Sequence, residues 1–246
     1  MDALRPIWKF ISYNYKFGLF LILLFGIPRF LLVLDANSSG GYGYVSIMFI
    51  LMWFTPFIFF TKDGRRQIGF KKPANKLWLI YSFLIGFAFC AIMFIGANLL
   101  FGDTINNSFN YISRTYTIPA EALETNKFLF FMMFSFIGMT FSPIGEEFLY
   151  RGVVHGSFVE QFGERKASLF DSLAFALTHL AHFGIVFNMG EWTFLPVPAL
   201  LWVLGMFIAS QLFFLCKQFS ESILGAVICH AGYNIGMMYF IFYHIF

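Results

Sequence analysis

The sequence predicts an all-α protein, a polytopic transmembrane helix bundle of about seven spans with a cytoplasmic amino terminus. Three observations carry this reading. Of 246 residues, 59% are hydrophobic and only 12% charged, where ordinary soluble domains hold about 25% charged residues. Phenylalanine occurs 38 times, more than one soluble core of this size can use. Several separate apolar runs each reach the roughly 18 residues that a bilayer span requires.

In chain order the expected spans fall at about residues 17–34, 45–61, 77–101, 128–150, 168–187, 197–216 and 222–244. Stretches such as "DANSSGGYG", "TKDGRRQIGFKKPANK" and "GDTINNSFNYISRTYTIPAEALETNK" separate them, and their Gly, Pro, Asn and Asp content marks loops. Within the last, "IPAEALE" places good helix formers after a proline, so a short surface helix is expected there. No internal repeat and no second globular domain is visible. The first span follows Arg5, Lys9 and Lys16 without a small-residue cleavage site, so it is expected to stay in the membrane. Cys90, Cys216 and Cys229 are widely spaced in apolar segments and read as packing residues.

Thirteen of the sixteen Lys and Arg residues lie in four regions: the amino terminus, residues 62–76, residues 151–166, and Lys217 after span six. The alternate loops hold only Arg114 and Lys127. By the positive-inside rule the amino terminus is cytoplasmic and the carboxyl terminus lies on the far side.

Ionisable residues within spans are functional candidates, because burying them in hydrocarbon is costly. Four sets qualify: Glu146, Glu147 and Arg151 at the end of span four; Asp171, His179 and His182 in span five; His230 and Asn234 in span seven; and Arg29 in span one. At 1.5 Å per residue, His179 and His230 both lie roughly 12–17 Å below the cytoplasmic boundary, so the two can meet. Glu147 precedes Arg151 by four residues, the favourable order for a helical ion pair. Glu146 is turned about 100° from it and can point elsewhere. Phe175 shares a face with His179 and can buttress its ring, and His230 and Asn234 place two hydrogen-bond donors on one face. Taken singly, each residue fits a structural role; a carboxylate, two histidines and an asparagine at matching depth on three helices form what a buried hydrolytic site needs.

The remaining polar groups carry structural expectations. Asp171 is expected to pair with Lys166 or Arg165, and His155 to be solvated in a cytoplasmic segment. His244 is expected at the interface, and Arg29, after Pro28, to snorkel to the outer boundary or pair with Asp35.

"EEFLYR" (146–151), "FALTH" (175–179) and "HAGYN" (230–234) fit the patterns EExxxR, FxxxH and HxxxN. In this order, on late transmembrane helices, they resemble the CPBP intramembrane proteases, which include type II CAAX prenyl endopeptidases and bacterial Abi-type proteins. On that resemblance the chain divides into residues 1–127, holding spans one to three, and residues 128–246, a CPBP/Abi-like catalytic core within one integrated bundle. The resemblance implies an intramembrane endopeptidase. Glu146 with His179 would activate water, Glu147 and Arg151 would hold the site together, and His230 with Asn234 would stabilise the oxyanion. The implied substrate is a membrane-associated peptide or protein, and the implied location a bacterial cytoplasmic membrane. The bilayer is the other expected partner, and nucleic acid is not one.

The family is often described as one of metalloproteases, and Glu146, His179, His182 and His230 could supply a zinc set. A glutamate-activated water needs no metal, and the expectation here is no tightly bound one. His182 departs from the family pattern and is expected as a hydrogen-bonded helix histidine. HExxH, GxSx and GxGD signatures of other membrane proteases are absent. A transporter would show repeats and midplane polar groups in both halves. The alternative that remains is a non-proteolytic scaffold or immunity-type protein that keeps the fold.

Overall fold

A computed structural model describes residues 3–246. Apolar runs bounded by capping residues set the helices. Asn14 caps α1 (Tyr15–Ser39), which ends on the left-handed Gly40. There follow α2 (Gly43–Phe59), a short α3 (Lys62–Gln67) capped by Thr61, α4 (Leu77–Phe101) and α5 (Ser108–Arg114) capped by Asn107. Next come α6 (Ala120–Glu146), a π-helical segment (Glu147–Val154) and α7 (His155–Thr178). A hairpin of β1 (Ile185–Asn188) and β2 (Glu191–Phe194) precedes α8 (Pro196–Ser220) and α9 (Ile223–Phe240).

The architecture is an all-α polytopic bundle, with that hairpin as its sheet. Five helical stretches among the described residues are long and apolar enough to cross a bilayer: Tyr15–Ser39, Leu77–Phe101, Ala120–Ala181, Pro196–Ser220 and Ile223–Ile245. α2 is a shorter apolar helix. The stretch 120–181 takes in two of the expected spans and bends at Gly163, whose φ of 73° is left-handed. Large apolar side chains such as Leu99, Phe128 and Leu200 face outward, which suits a lipid solvent.

α9 lies at the centre, packed on α4, α6 and α8, while α1 packs on α7 and α2 on α6. Small residues permit the close approaches. A Cβ at Gly86 of α4 would collide with the Cys229 carbonyl of α9, and one at Gly145 of α6 would press on the Phe49 backbone of α2. The three cysteines are free and buried in this packing.

One expectation for the elements needs correction. Span five was expected to reach residue 187, but the helix ends in a turn at His179–Ala181 and residues 185–188 form β1. The strands are joined through Met189 and Gly190, both at positive φ, the geometry of a tight hairpin turn. The short surface helix expected around "IPAEALE" is present over residues 120–125, largely exposed and set off from the rest of α6 by a kink at Asn126. The separate helix in that region, α5, is buried.

Candidate active site

Glu146 is the last residue of α6 and Glu147 the first of the π-helical segment. π turns are rare and occur often at functional sites. Here the change of winding sends two adjacent, fully buried carboxylates to different partners.

Glu147 faces a closed cluster. Its Oε2 lies 3.1 Å from Arg151 Nε, and its Oε1 accepts from His230 Nδ1 at 2.9 Å. Arg151 donates to Ser210 Oγ, which donates to Ser172 Oγ at 2.6 Å. The guanidinium also lies over the Phe175 ring, 4.3 Å from its centroid. His230 stacks on Phe213 at 4.6 Å and 11°. From Ser172 the network runs on to Asp171, 3.4 Å away.

That extension overturns two expectations. Asp171 pairs with neither Lys166 nor Arg165; its Oδ2 accepts from His155 Nδ1 at 2.7 Å. His155 is buried rather than solvated, and its Nε2 reaches Glu164 at 2.9 Å. A ring held between two carboxylates can donate through both nitrogens only when doubly protonated. The kink at Gly163 is what turns Glu164 back onto His155.

Glu146 faces the other way, into a cavity of about 420 Å³. His179, His182, His230 and Asn234 also line it, with apolar walls from Phe49, Phe134, Phe213 and Trp202. The cavity extends along the bundle toward Tyr42, Ile112 and Tyr116, the end that carries α5. His179 Nε2 lies 3.8 Å from Glu146 Oε2, and Phe175 buttresses the imidazole at 4.2 Å. The Nδ1–H of His179 donates to the Phe175 carbonyl at 2.8 Å, which leaves Nε2 with its lone pair.

The largest departure concerns Arg29. It neither snorkels nor pairs with Asp35. It is 1% exposed, and its Nη2 sits 2.6 Å from Glu146 Oε1. The same guanidinium donates to Thr178 Oγ1 at 2.7 Å and to Nε2 of both His179 and His182 at 3.3 Å. Arg29 belongs to none of the three motifs, and a lone arginine after a proline gives no signal of a partner far along the chain. Among the described residues neither oxygen of Glu146 receives an in-line hydrogen bond, so charge, not a directed donor, holds it.

Residues 128–236 match the family described as type II CAAX prenyl endopeptidase Rce1-like. Over this segment the chain is similar to the CAAX-type proteases of the CPBP family. The searches of curated proteins and of solved structures each returned no match. The matched segment holds Glu146, Glu147, Arg151, His179, His182, His230 and Asn234, whereas Arg29 lies outside it.

Two further expectations about the site meet the structure differently. Asn234 was expected to offer its donor alongside His230. Its Nδ2 instead donates to the Gly138 carbonyl at 2.7 Å and Ser142 Oγ at 3.1 Å, tying α9 to α6. The zinc set was expected to draw on Glu146, His179, His182 and His230. Among the described residues no three His, Cys, Asp or Glu side chains converge as a metal site does, and the Arg29 guanidinium lies between three of those four donors. A cation already held there does not fit a divalent metal. His182 is hydrogen-bonded, as expected, though its partner is Arg29 rather than a backbone group.

Proposed function

We propose that this protein is an intramembrane endopeptidase that hydrolyses a peptide bond of a membrane-associated peptide or protein with a glutamate-activated water. The observation that carries the reading is the convergence of Glu146, His179 and His230 on one apolar-walled cavity. The substrate backbone would enter from the end of the cavity near Tyr42 and Tyr116. By the distribution of basic residues, that is the side opposite the cytoplasm.

In the proposed mechanism a water beside Glu146 loses its proton to a carboxylate oxygen that carries no in-line hydrogen bond, so a lone pair is free to take it. Neutral His179 exchanges its long 3.3 Å bond from Arg29 for the water's other hydrogen, which its Nε2 lone pair accepts to aim the oxygen. Glu147 holds His230 through Nδ1; in its doubly protonated form the ring offers Nε2–H to the oxyanion as the carbonyl becomes tetrahedral. Donors fixed in a water-poor cavity are worth about 3–4 kcal/mol each in acyl transfer. Asn234 contributes by fixing α9 on α6 in this arrangement, and joins the oxyanion site only if its amide leaves Ser142. Glu146 then returns its proton to the leaving amine. No step is routed through a metal.

Comparative membrane peptidomics of cells carrying wild-type and E146Q protein tests this. Fragments that appear with the wild type and vanish with both E146Q and H179A are the expected result. If every cleavage product and partner survives both changes, the scaffold reading replaces this one.

A further inference from the structure

We infer that the guanidinium of Arg29 is the resident cation of the site: its Nη2 sits where a divalent metal would be held by Glu146, His179 and His182, and it positions all three. The inference rests on the proposed role of Glu146, and its readouts do not require cleavage of any substrate.

Three donor atoms from different parts of the chain converge on that one nitrogen. Glu146 Oε1 lies at 2.6 Å, and Nε2 of His179 and of His182 each lie at 3.3 Å. Two imidazoles and a carboxylate form a donor set that zinc uses, but zinc needs them at about 2.0–2.2 Å. The observed distances are those of an N–H group and its acceptors. The two hydrogens of Nη2 face the two imidazoles, and the carboxylate approaches by charge alone.

The chemistry of arginine fixes more than position. A guanidinium has donors and no acceptor, so both histidines must turn a lone pair inward. For His179 the Phe175 carbonyl selects the same tautomer independently, by accepting from Nδ1. The cation itself is held from the opposite side. Thr178 Oγ1 accepts from Nη1, and the Phe49 ring lies 5.4 Å from the guanidinium carbon. Gly26, three residues earlier on α1, lets that helix approach Thr178, since a Cβ there would press on the threonine methyl. Arg29 lies outside the matched segment, so the first span supplies the counter-charge of a site whose other parts come from the second half. It acts as a positioning residue, touching the base rather than the substrate.

The test compares wild-type, R29A and R29K protein in lipid nanodiscs, freed of metal and then equilibrated with zinc alone. Bound zinc is counted by elemental mass spectrometry, and ¹⁵N-histidine NMR reads the tautomers. Wild type and R29K are expected to hold no zinc that depends on His182, with the protons of His179 and His182 on Nδ1. R29A removes the cation and opens the three-donor centre. It is expected to take up one zinc per chain, which R29A/H182A loses. Zinc in the wild type that disappears in H182A overturns the inference, as does a folded R29A that binds no more zinc than wild type. Should R29A fail to fold, the wild-type tautomers decide, and protons on Nε2 of either histidine overturn it. Loss of proteolysis on its own bears on Glu146 and leaves these readouts unchanged.

Discussion

The two halves of the site, one around Glu147 and one around Glu146, share a buried carboxylate, an arginine and a histidine, yet they are completed to different degrees. Glu147 accepts from His230 and pairs by charge with Arg151, which enters a hydrogen-bonded chain through Ser210, Ser172, Asp171 and His155 to Glu164. Around Glu146 the arginine comes from a distant helix, the contact is electrostatic, and a cavity lies alongside. One oxygen of Glu147 is committed to a directed donor, His230, whereas among the described residues neither oxygen of Glu146 is, and the cavity borders it. The difference assigns shape to one half and reactivity to the other.

The sharpest way to break that comparison is to neutralise each acid in turn. E146Q keeps the bonds from Arg29 to Thr178, His179 and His182 but strips it of its counter-charge, so stability should drop by about 3–5 kcal/mol. Cleavage of a substrate found by peptidomics, read below the melting transition, should fall about 10²–10⁴-fold. R151M leaves Glu147 buried without its cation and should lower stability comparably, by about 3–5 kcal/mol, read as a lower melting temperature in detergent, with a smaller loss of cleavage. Smaller is H155F, which strands the Asp171 carboxylate and should cost about 1–3 kcal/mol on the same melt. Smallest is S210A, which removes one neutral relay within the Glu147 network. About 1 kcal/mol is expected, with the cleavage rate unchanged when measured below the melting transition. If S210A slowed cleavage more than it lowered stability, the division between the halves would fail.

Legibility in the sequence followed the same division. Glu147 with Arg151, and Phe175 with His179, are four residues apart, and local spacing reveals such pairs. The helices were legible because each apolar run is long. The hairpin was not, since "FGIVF" (183–187) extends the apolar run of the preceding helix; Gly184 and the Asn-Met-Gly turn were the available signals. The π-helical winding at Glu147 has no compositional mark. Arg29 stayed hidden for a different reason: its partners are set by how α1 docks on α7, which no spacing within α1 encodes. Buried α5 misled in the same way, because "SFNYISR" is polar enough to read as surface.

The pairing of Arg29 with Glu146 also has an order in time. In a chain made from its amino terminus, the arginine leaves the ribosome 117 residues ahead of its acid (146 − 29), which at about 5–20 residues per second is roughly 6–23 s. During that interval α1 must enter the bilayer with a solitary cation, at a cost of about 2.5–3.5 kcal/mol for an arginine near the centre of a span. The rest of α1, almost wholly apolar, offsets it. Biogenesis therefore passes through a stage in which the first helix waits, charged, for the helices that complete it.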